Sequence, residues 1–154
     1  MERKIIHVIG TGTIGEPLIG LLSDYREKLG IDEITFHKKS SSRNDRSVVF
    51  DLLNRGARLA VDSGKENEFK KLGMDPDFEA SESIKRASVV IDCTSNGMGH
   101  ENKAKFYNNF SQNVRGFIAQ GSEENFGKKY AHGINDQALS PKDKYIQIVS
   151  CNTH

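Results

Sequence analysis

Apolar positions along the chain repeatedly change period, from about two residues to about 3.6, and each change marks a strand giving way to a helix. The clearest change is at the amino end. Ile5, Ile6, Val8 and Ile9 make an apolar run that predicts a buried strand, and the run stops at Gly10. From Ile14 onward the apolar residues Ile14, Leu18, Leu21, Leu22 and Tyr25 fall on one helical face, predicting a helix that reaches about Leu29 and stops at Gly30. Glycine at that place is a common helix terminator. Pro17 suits the first turn, where its missing N–H has no intrahelical partner.

The alternation continues downstream. Residues 33–38 predict a second strand, 47–55 a helix with Val48, Val49, Leu52 and Leu53 inward, and 58–61 a short strand. A helix over 66–72 ends at Gly73; a short strand over 78–80 precedes a small helix over 82–87, with Ser81 as its cap. Val89, Val90 and Ile91 predict a buried strand, 102–110 an amphipathic helix, and 114–119 and 145–149 two further strands. Residues 123–144 are polar and without period; Pro141 opposes a helix there, and 136–143 read as loop. Strands alternating with helices over residues 1–154 predict one α/β domain: a Rossmann-type doubly wound, largely parallel sheet with helices on both faces.

The turn after the first strand carries chemistry. Gly10, Gly12 and Gly15 are spaced as G-x-G-x-x-G between a strand and a helix, the context a dinucleotide-binding fingerprint requires. The first glycine allows the tight turn, the second lets backbone approach a pyrophosphate, and the third brings helix against strand. The helix N-terminus then aims free N–H groups at the phosphates. A glycine-rich turn with no ligand is the alternative. In NAD enzymes an acid at the end of the second strand holds the ribose 2′-hydroxyl. Here that place carries His37, Lys38, Lys39 and Ser40, with Arg43 nearby, so a 2′-phosphate meets cations and no carboxylate. NADP is thereby permitted and slightly favoured over NAD, unless the stretch is simply a solvated basic loop.

A second signal is Asp92-Cys93-Thr94-Ser95, which leaves its strand at the carboxyl end, where open parallel sheets place ligands. Thr94, Ser95 and Gly97 offer hydroxyls and close backbone to a cofactor, while Cys93 reads as a small buried residue. His100 reads as a surface residue, and no second His or Cys stands at zinc spacing, so no metal site is expected. Cys151 follows the last strand where a helix would begin, a place that favours thiolate; a buried structural cysteine is the alternative.

Composition narrows the classes. With 22 basic and 21 acidic residues the net charge is +1, which implies no polyanionic partner, and no basic face with interleaved aromatics suggests nucleic acid. The apolar runs are too short to span a bilayer, and Met1-Glu2-Arg3-Lys4 leads directly into the first strand, so neither signal peptide nor anchor is expected. The 2 cysteines make no disulfide framework, which points to a reducing cytoplasm.

Taken together, G-T-G-T-I-G at 10–15, D-C-T-S-N-G-M-G-H-E-N at 92–102, Q-G-S-E at 120–123 and V-S-C-N-T at 149–153 resemble the archaeal-type (type II) glyceraldehyde-3-phosphate dehydrogenases. The resemblance covers nearly the whole chain but only the family's amino-terminal half. It departs at Ser95 and Asn96, where the family usually has Pro and Glu, and at His154. It implies that Cys151 is the nucleophile, with Asn152 and Thr153 beside the substrate. It implies that Thr13 and Ile14 meet the cofactor pyrophosphate, Lys38 and Lys39 the adenosine ribose or its phosphate, and that Gln120 and Gly121 line the cleft. The reaction implied is attack of a thiolate on a phosphorylated aldehyde, hydride transfer to nicotinamide, and cleavage of the thioester by phosphate.

In that family the general-base histidine, the phosphate-binding groups and much of the oligomer interface lie in a following domain. None of His7, His37, His100, His132 and His154 matches that base. The whole protein is thus expected to be a homo-oligomer, and the chain alone to be inactive. Competing readings are a stand-alone NADP-binding module with Cys151 as a terminal thiol, and the nucleotide domain of another thiol-dependent semialdehyde dehydrogenase.

Overall fold

The computed structural model describes residues 3–121, 123 and 125–149. From the amino end the elements are β1 (Ile5–Ile9), α1 (Gly15–Asp24), β2 (Glu33–Lys38), α2 (Arg46–Asn54) and β3 (Arg58–Val61). There follow α3 (Glu66–Lys70), β4 (Phe78–Glu79), α4 (Ala80–Arg86) and β5 (Val89–Asp92). Next comes one helical run: α5 (Met98–Asn102), a π-helical turn (Lys103–Tyr107) and α6 (Asn108–Phe110). Strands β6 (Gly116–Gln120), β7 (Lys128–Tyr130) and β8 (Tyr145–Ile148) complete the chain, with a 3₁₀ turn at Asp136–Ala138.

The strands form one 8-stranded sheet in the order β4-β3-β2-β1-β5-β6-β8-β7, and every pairing is parallel. Successive strands step outward from β1 on one side as far as β4, then restart at β5 on the other. The order therefore reverses between β1 and β5, and the glycine turn leaves the sheet at that switch point, where ligands bind in such folds. Ile9 stands level with His37 of β2 and Asp92 of β5, so the three strands end side by side at the same edge of the sheet.

Alternation along the strands divides the core into two layers. Val8, Ile34, Phe36, Leu59 and Val61 pack with Ile19 of α1, Val49 and Leu52 of α2 and Phe69 of α3. Ile9, Val90, Phe117 and Ala119 pack with Ile84 of α4 and with Tyr107, Val114 and Phe126. Helices thus cover both faces. Each fully buried large side chain contributes about 1.5–3 kcal/mol. In the second layer Tyr107 and Tyr145 stack on either side of Phe117, with centroids 5.0 Å away in each case.

Several boundaries differ from the sequence expectation. α1 ends at Asp24, and turns carry the chain to Gly30, whose φ of +63° makes the stop. α4 begins at Ala80 with Glu79 at the cap position, so Ser81 lies inside the helix and does not cap it. The helix expected from residue 102 begins at Met98, because Gly97 turns the chain at φ +86° and Glu123 satisfies the next free N–H groups. β7 lies in the polar stretch over 123–144 that shows no period, ahead of the 136–143 loop. It is a three-residue edge strand, Lys-Lys-Tyr, held by parallel pairing to β8, and so short and polar a stretch carries no period to detect. Among the described residues no helix is long and apolar enough to cross a membrane.

Candidate functional site

The site starts with three glycines that do three different things. Gly10 has φ +94°, and a Cβ there would stand 2.9 Å from both the carbonyl carbon and oxygen of Cys93. The turn after β1 is therefore pressed against the chain leaving β5. A Cβ on Gly15 would lie 1.8 Å from the Gly10 oxygen, so α1 can start this close to the strand only with glycine. At Gly12 a Cβ would meet nothing within 4 Å. Gly12 serves neither turn strain nor packing within the chain; its bare backbone faces open space. The first helical bond is Glu16 N–H to Gly12 O at 3.0 Å, so Thr13, Ile14 and Gly15 stand at the open amino end of α1.

The end of β5 is fixed by Asp92, 2% exposed. Its Oδ1 accepts the backbone N–H of Thr94 at 2.9 Å and also the Thr94 hydroxyl. Its Oδ2 accepts Asn102 Nδ2 at 2.9 Å and the Tyr107 hydroxyl. Burial, then the Asp92 charge, raises the Tyr107 phenol well above its ordinary range, so it stays protonated as donor. The same two causes push the Cys93 thiol up to about 12. Thr94 is thus held rigidly beside Gly10. Glu123, from the loop after β6, accepts N–H groups of Gly99 and His100 at 3.1 Å each and ties that loop to α5.

At the ends of β2 and β3, His37 Nε2 donates to Asp62 Oδ1 at 2.9 Å. Burial lowers the His37 pKa, outweighing the Asp62 charge that raises it, so the imidazole is a neutral donor at neutral pH. Lys38 is not free: its ammonium pairs with Asp45 at 3.0 Å. Lys65 donates to the Lys39 carbonyl at 3.0 Å.

A cleft of about 450 Å³ joins these pieces, lined by Gly10, Thr11, His37, Lys38, Lys39 and Asp62 on one side and by Thr94, Met98, Glu101, Asn102, Lys105 and Phe106 on the other. An adjoining apolar cavity of about 460 Å³ continues beneath α5 and the π-helical turn, floored by His7, Ile9 and His37. Glu101 is ion-paired with Lys105 at 2.9 Å, which lowers its pKa.

The sequence candidates fall into three groups. Gly10, Lys38, Lys39 and Thr94 line the cleft, whereas Gly12, Thr13, Ile14 and Gly15, which continue the glycine turn from Gly10, stand outside that lining. Ser95 and Gly97 do not line it; the Ser95 carbonyl accepts Met98 N–H at 3.0 Å, and both shape the turn into α5. Gln120 and Gly121 also stand outside the lining, although Gln120 Nε2 reaches the Thr94 carbonyl at 3.5 Å. Cys151, Asn152 and Thr153 lie outside the described residues. Sequence reasoning missed Asp62, Asn102, Tyr107 and Glu123. Asp62 carried a signal, since it directly follows an apolar strand at the edge where ligands bind, and Asn102 and Glu123 close two of the segments that carry the family resemblance. Among the described residues no group of three or more His, Cys, Asp or Glu is disposed to hold a metal ion.

The parallel sheet, with the glycine turn at its switch point, defines a Rossmann-type α/β domain. No protein-family model matches the chain. It is similar to a glyceraldehyde-3-phosphate dehydrogenase of Pyrobaculum islandicum, 26% identical over 151 residues that make up 96% of this chain and 40% of that protein. The enzyme of the same name from Pyrobaculum arsenaticum is 32% identical over 155 residues, again 96% of the chain and 40% of the relative. That from Archaeoglobus fulgidus is 32% identical over 160 residues, 99% of the chain and 42% of the relative. The chain is homologous to the amino-terminal domain of archaeal glyceraldehyde-3-phosphate dehydrogenases, and it spans 40–42% of the length of these relatives.

Proposed function

We propose that the chain is the cofactor-binding part of a phosphorylating, NAD- or NADP-dependent glyceraldehyde-3-phosphate dehydrogenase. The observation that carries this reading is the division of labour among the glycines: Gly10 and Gly15 have no room for a side chain, and Gly12 faces open space. Bare backbone at that place lets a pyrophosphate reach the open end of α1, where Thr13 and Ile14 would meet it. Lys39, and Lys65 beside it, supply cations near the adenosine ribose, since Lys38 is occupied by Asp45. Thr94, held by Asp92, would line the path of the cofactor.

The reactive groups follow from the resemblance. Cys151 as thiolate forms an S–C bond with the aldehyde carbon, and Asn152 and Thr153 hold the developing oxyanion or the substrate phosphate. A bound nicotinamide supplies the hydride acceptor for the oxidation to a thioester. Inorganic phosphate then breaks the S–C bond, releasing an acyl phosphate and returning the thiolate. The base and the remaining anion-binding groups would come from a further domain, as would the contacts of a homo-oligomer. Calorimetric titration with NADH and NADPH tests the binding reading: micromolar affinity lost in Gly12→Ala supports it, and no binding of either by the folded chain refutes it. For the chemistry, joining the chain to the carboxyl-terminal part of a relative should give turnover that Cys151→Ser abolishes.

A further inference from the structure

Asp62 carries an inference that rests on the dinucleotide reading above and deepens it. The residue that reads the adenosine ribose in such domains is an acid at the end of the second strand. β2 has none there, ending in His37-Lys38 before Lys39 and Ser40. The adjacent strand supplies one. Val61 of β3 pairs with Lys38, so the next residue, Asp62, emerges beside Lys39 and lines the same cleft as Gly10 and Ser40.

Its geometry suits an acceptor. Oδ1 takes the His37 Nε2–H at 2.9 Å, which fixes the direction of the carboxylate. Oδ2 has Lys65 Nζ at 3.7 Å, beyond hydrogen-bond distance, and the side chain is 40% exposed. The other acid lining the cleft, Glu101, is engaged by Lys105 at 2.9 Å. Asp45, near the end of β2, is engaged by Lys38.

We propose that Asp62 is the ribose-reading residue: its Oδ2, ion-paired with Lys65 at 3.7 Å but not hydrogen-bonded to it, accepts the 2′-hydroxyl of NAD, with His37 as the positioning residue. The same charge opposes a 2′-phosphate, which Lys39 and Lys65 favour. Asp62 thereby sets the balance between the two cofactors.

The test is calorimetric titration of the full chain and of Asp62→Asn with NADH and NADPH. Asparagine keeps the Oδ1 acceptor for His37 but removes the charge and puts an NH2 donor in place of Oδ2, so a merely structural role would leave the ratio of affinities unmoved. The expected result is about a tenfold loss for NADH with NADPH unchanged or tighter, the size of one hydrogen bond to a charged group. Titration of the unmodified chain with 2′-deoxy-NADH needs no variant to fold, and should show a loss of similar size. An unchanged NADH to NADPH ratio in a folded Asp62→Asn chain, or equal affinities for NADH and its 2′-deoxy form, overturns the assignment while leaving the dinucleotide reading intact. Failure of the unmodified chain to bind any of the three refutes that reading itself.

Discussion

Glu123 accepts the N–H of Gly99 at 3.1 Å, and a Cβ on Gly99 would stand only 3.0 Å from the Glu123 carboxyl carbon. The loop after β6 and the start of α5 are thus fitted to each other, with the carboxylate capping the helix from outside its own sequence. Glu123→Ala leaves two N–H groups without acceptors, one of them buried, and should cost about 1–3 kcal/mol. For a domain of this size that is several degrees in Tm, at ~2–4 °C per kcal/mol. Thermal unfolding followed by circular dichroism checks it; an unchanged Tm would show that the cap contributes nothing.

Gly15 and Gly12 make opposite predictions. Gly15→Ala forces a Cβ to within 1.8 Å of the Gly10 oxygen and should prevent folding or lower Tm severely. Gly12→Ala meets no neighbour within 4 Å and should leave Tm nearly unchanged. It should nonetheless weaken dinucleotide binding, because the new methyl occupies the approach of the pyrophosphate. A Gly12→Ala chain that binds as tightly as the parent would remove the glycine turn from the site.

What the sequence reveals here is periodic structure. β1, β2 and β3 were legible to the residue because their apolar runs are bounded by glycine or charge, and the glycine turn was legible with them. The start of α5 was not, since its cap, Glu123, lies far along the chain and no local signal announces it. β7 was invisible for a related reason: its pairing with β8, rather than its composition, makes it a strand. At the site, sequence identifies Lys38 and Lys39 as equals. Only the fold separates them, by placing Asp45 at 3.0 Å from Lys38.

That separation is measurable. Lys39→Ala should weaken NADPH more than NADH, and the NADPH advantage over NADH should shrink with added salt. Lys38→Ala should weaken both little and equally, since its ammonium is spent on Asp45. Equal losses for the two cofactors in Lys39→Ala would detach that lysine from the 2′-position.

The Cys93 thiol, pushed up to about 12 by burial and by Asp92, is almost wholly protonated at pH 8. It should resist alkylation in the native chain and react only on unfolding. Mass spectrometry after timed iodoacetamide treatment reads this directly: Cys93 labelled within minutes under native conditions would contradict its burial.

His7 lies on the central strand with no exposed surface; its Nδ1 shares a hydrogen bond with Thr35 Oγ1 at 2.7 Å, and its Nε2 has no hydrogen-bond partner among the described residues. Burial, with the neighbouring His37, lowers its pKa from 6.5 to about 3. At pH 7 the ring is neutral in the folded chain and mostly neutral in the unfolded one, so it adds only a little pH dependence there. Below pH 6.5 the unfolded chain takes up a proton that the folded chain refuses until about pH 3. Unfolding therefore binds a proton in that window, and stability falls as pH falls, by up to ~1.4 kcal/mol per pH unit. His37, lowered as well, acts in the same direction. His7→Gln removes one titrating group: it should be less stable at pH 7, through the disturbed bond to Thr35, yet lose stability more slowly on acidification. Urea unfolding at intervals from pH 7 to pH 4 should then show two lines that converge or cross. Parallel lines would mean that His7 takes its proton in the folded chain as readily as in the unfolded one, and that its burial does not hold in solution.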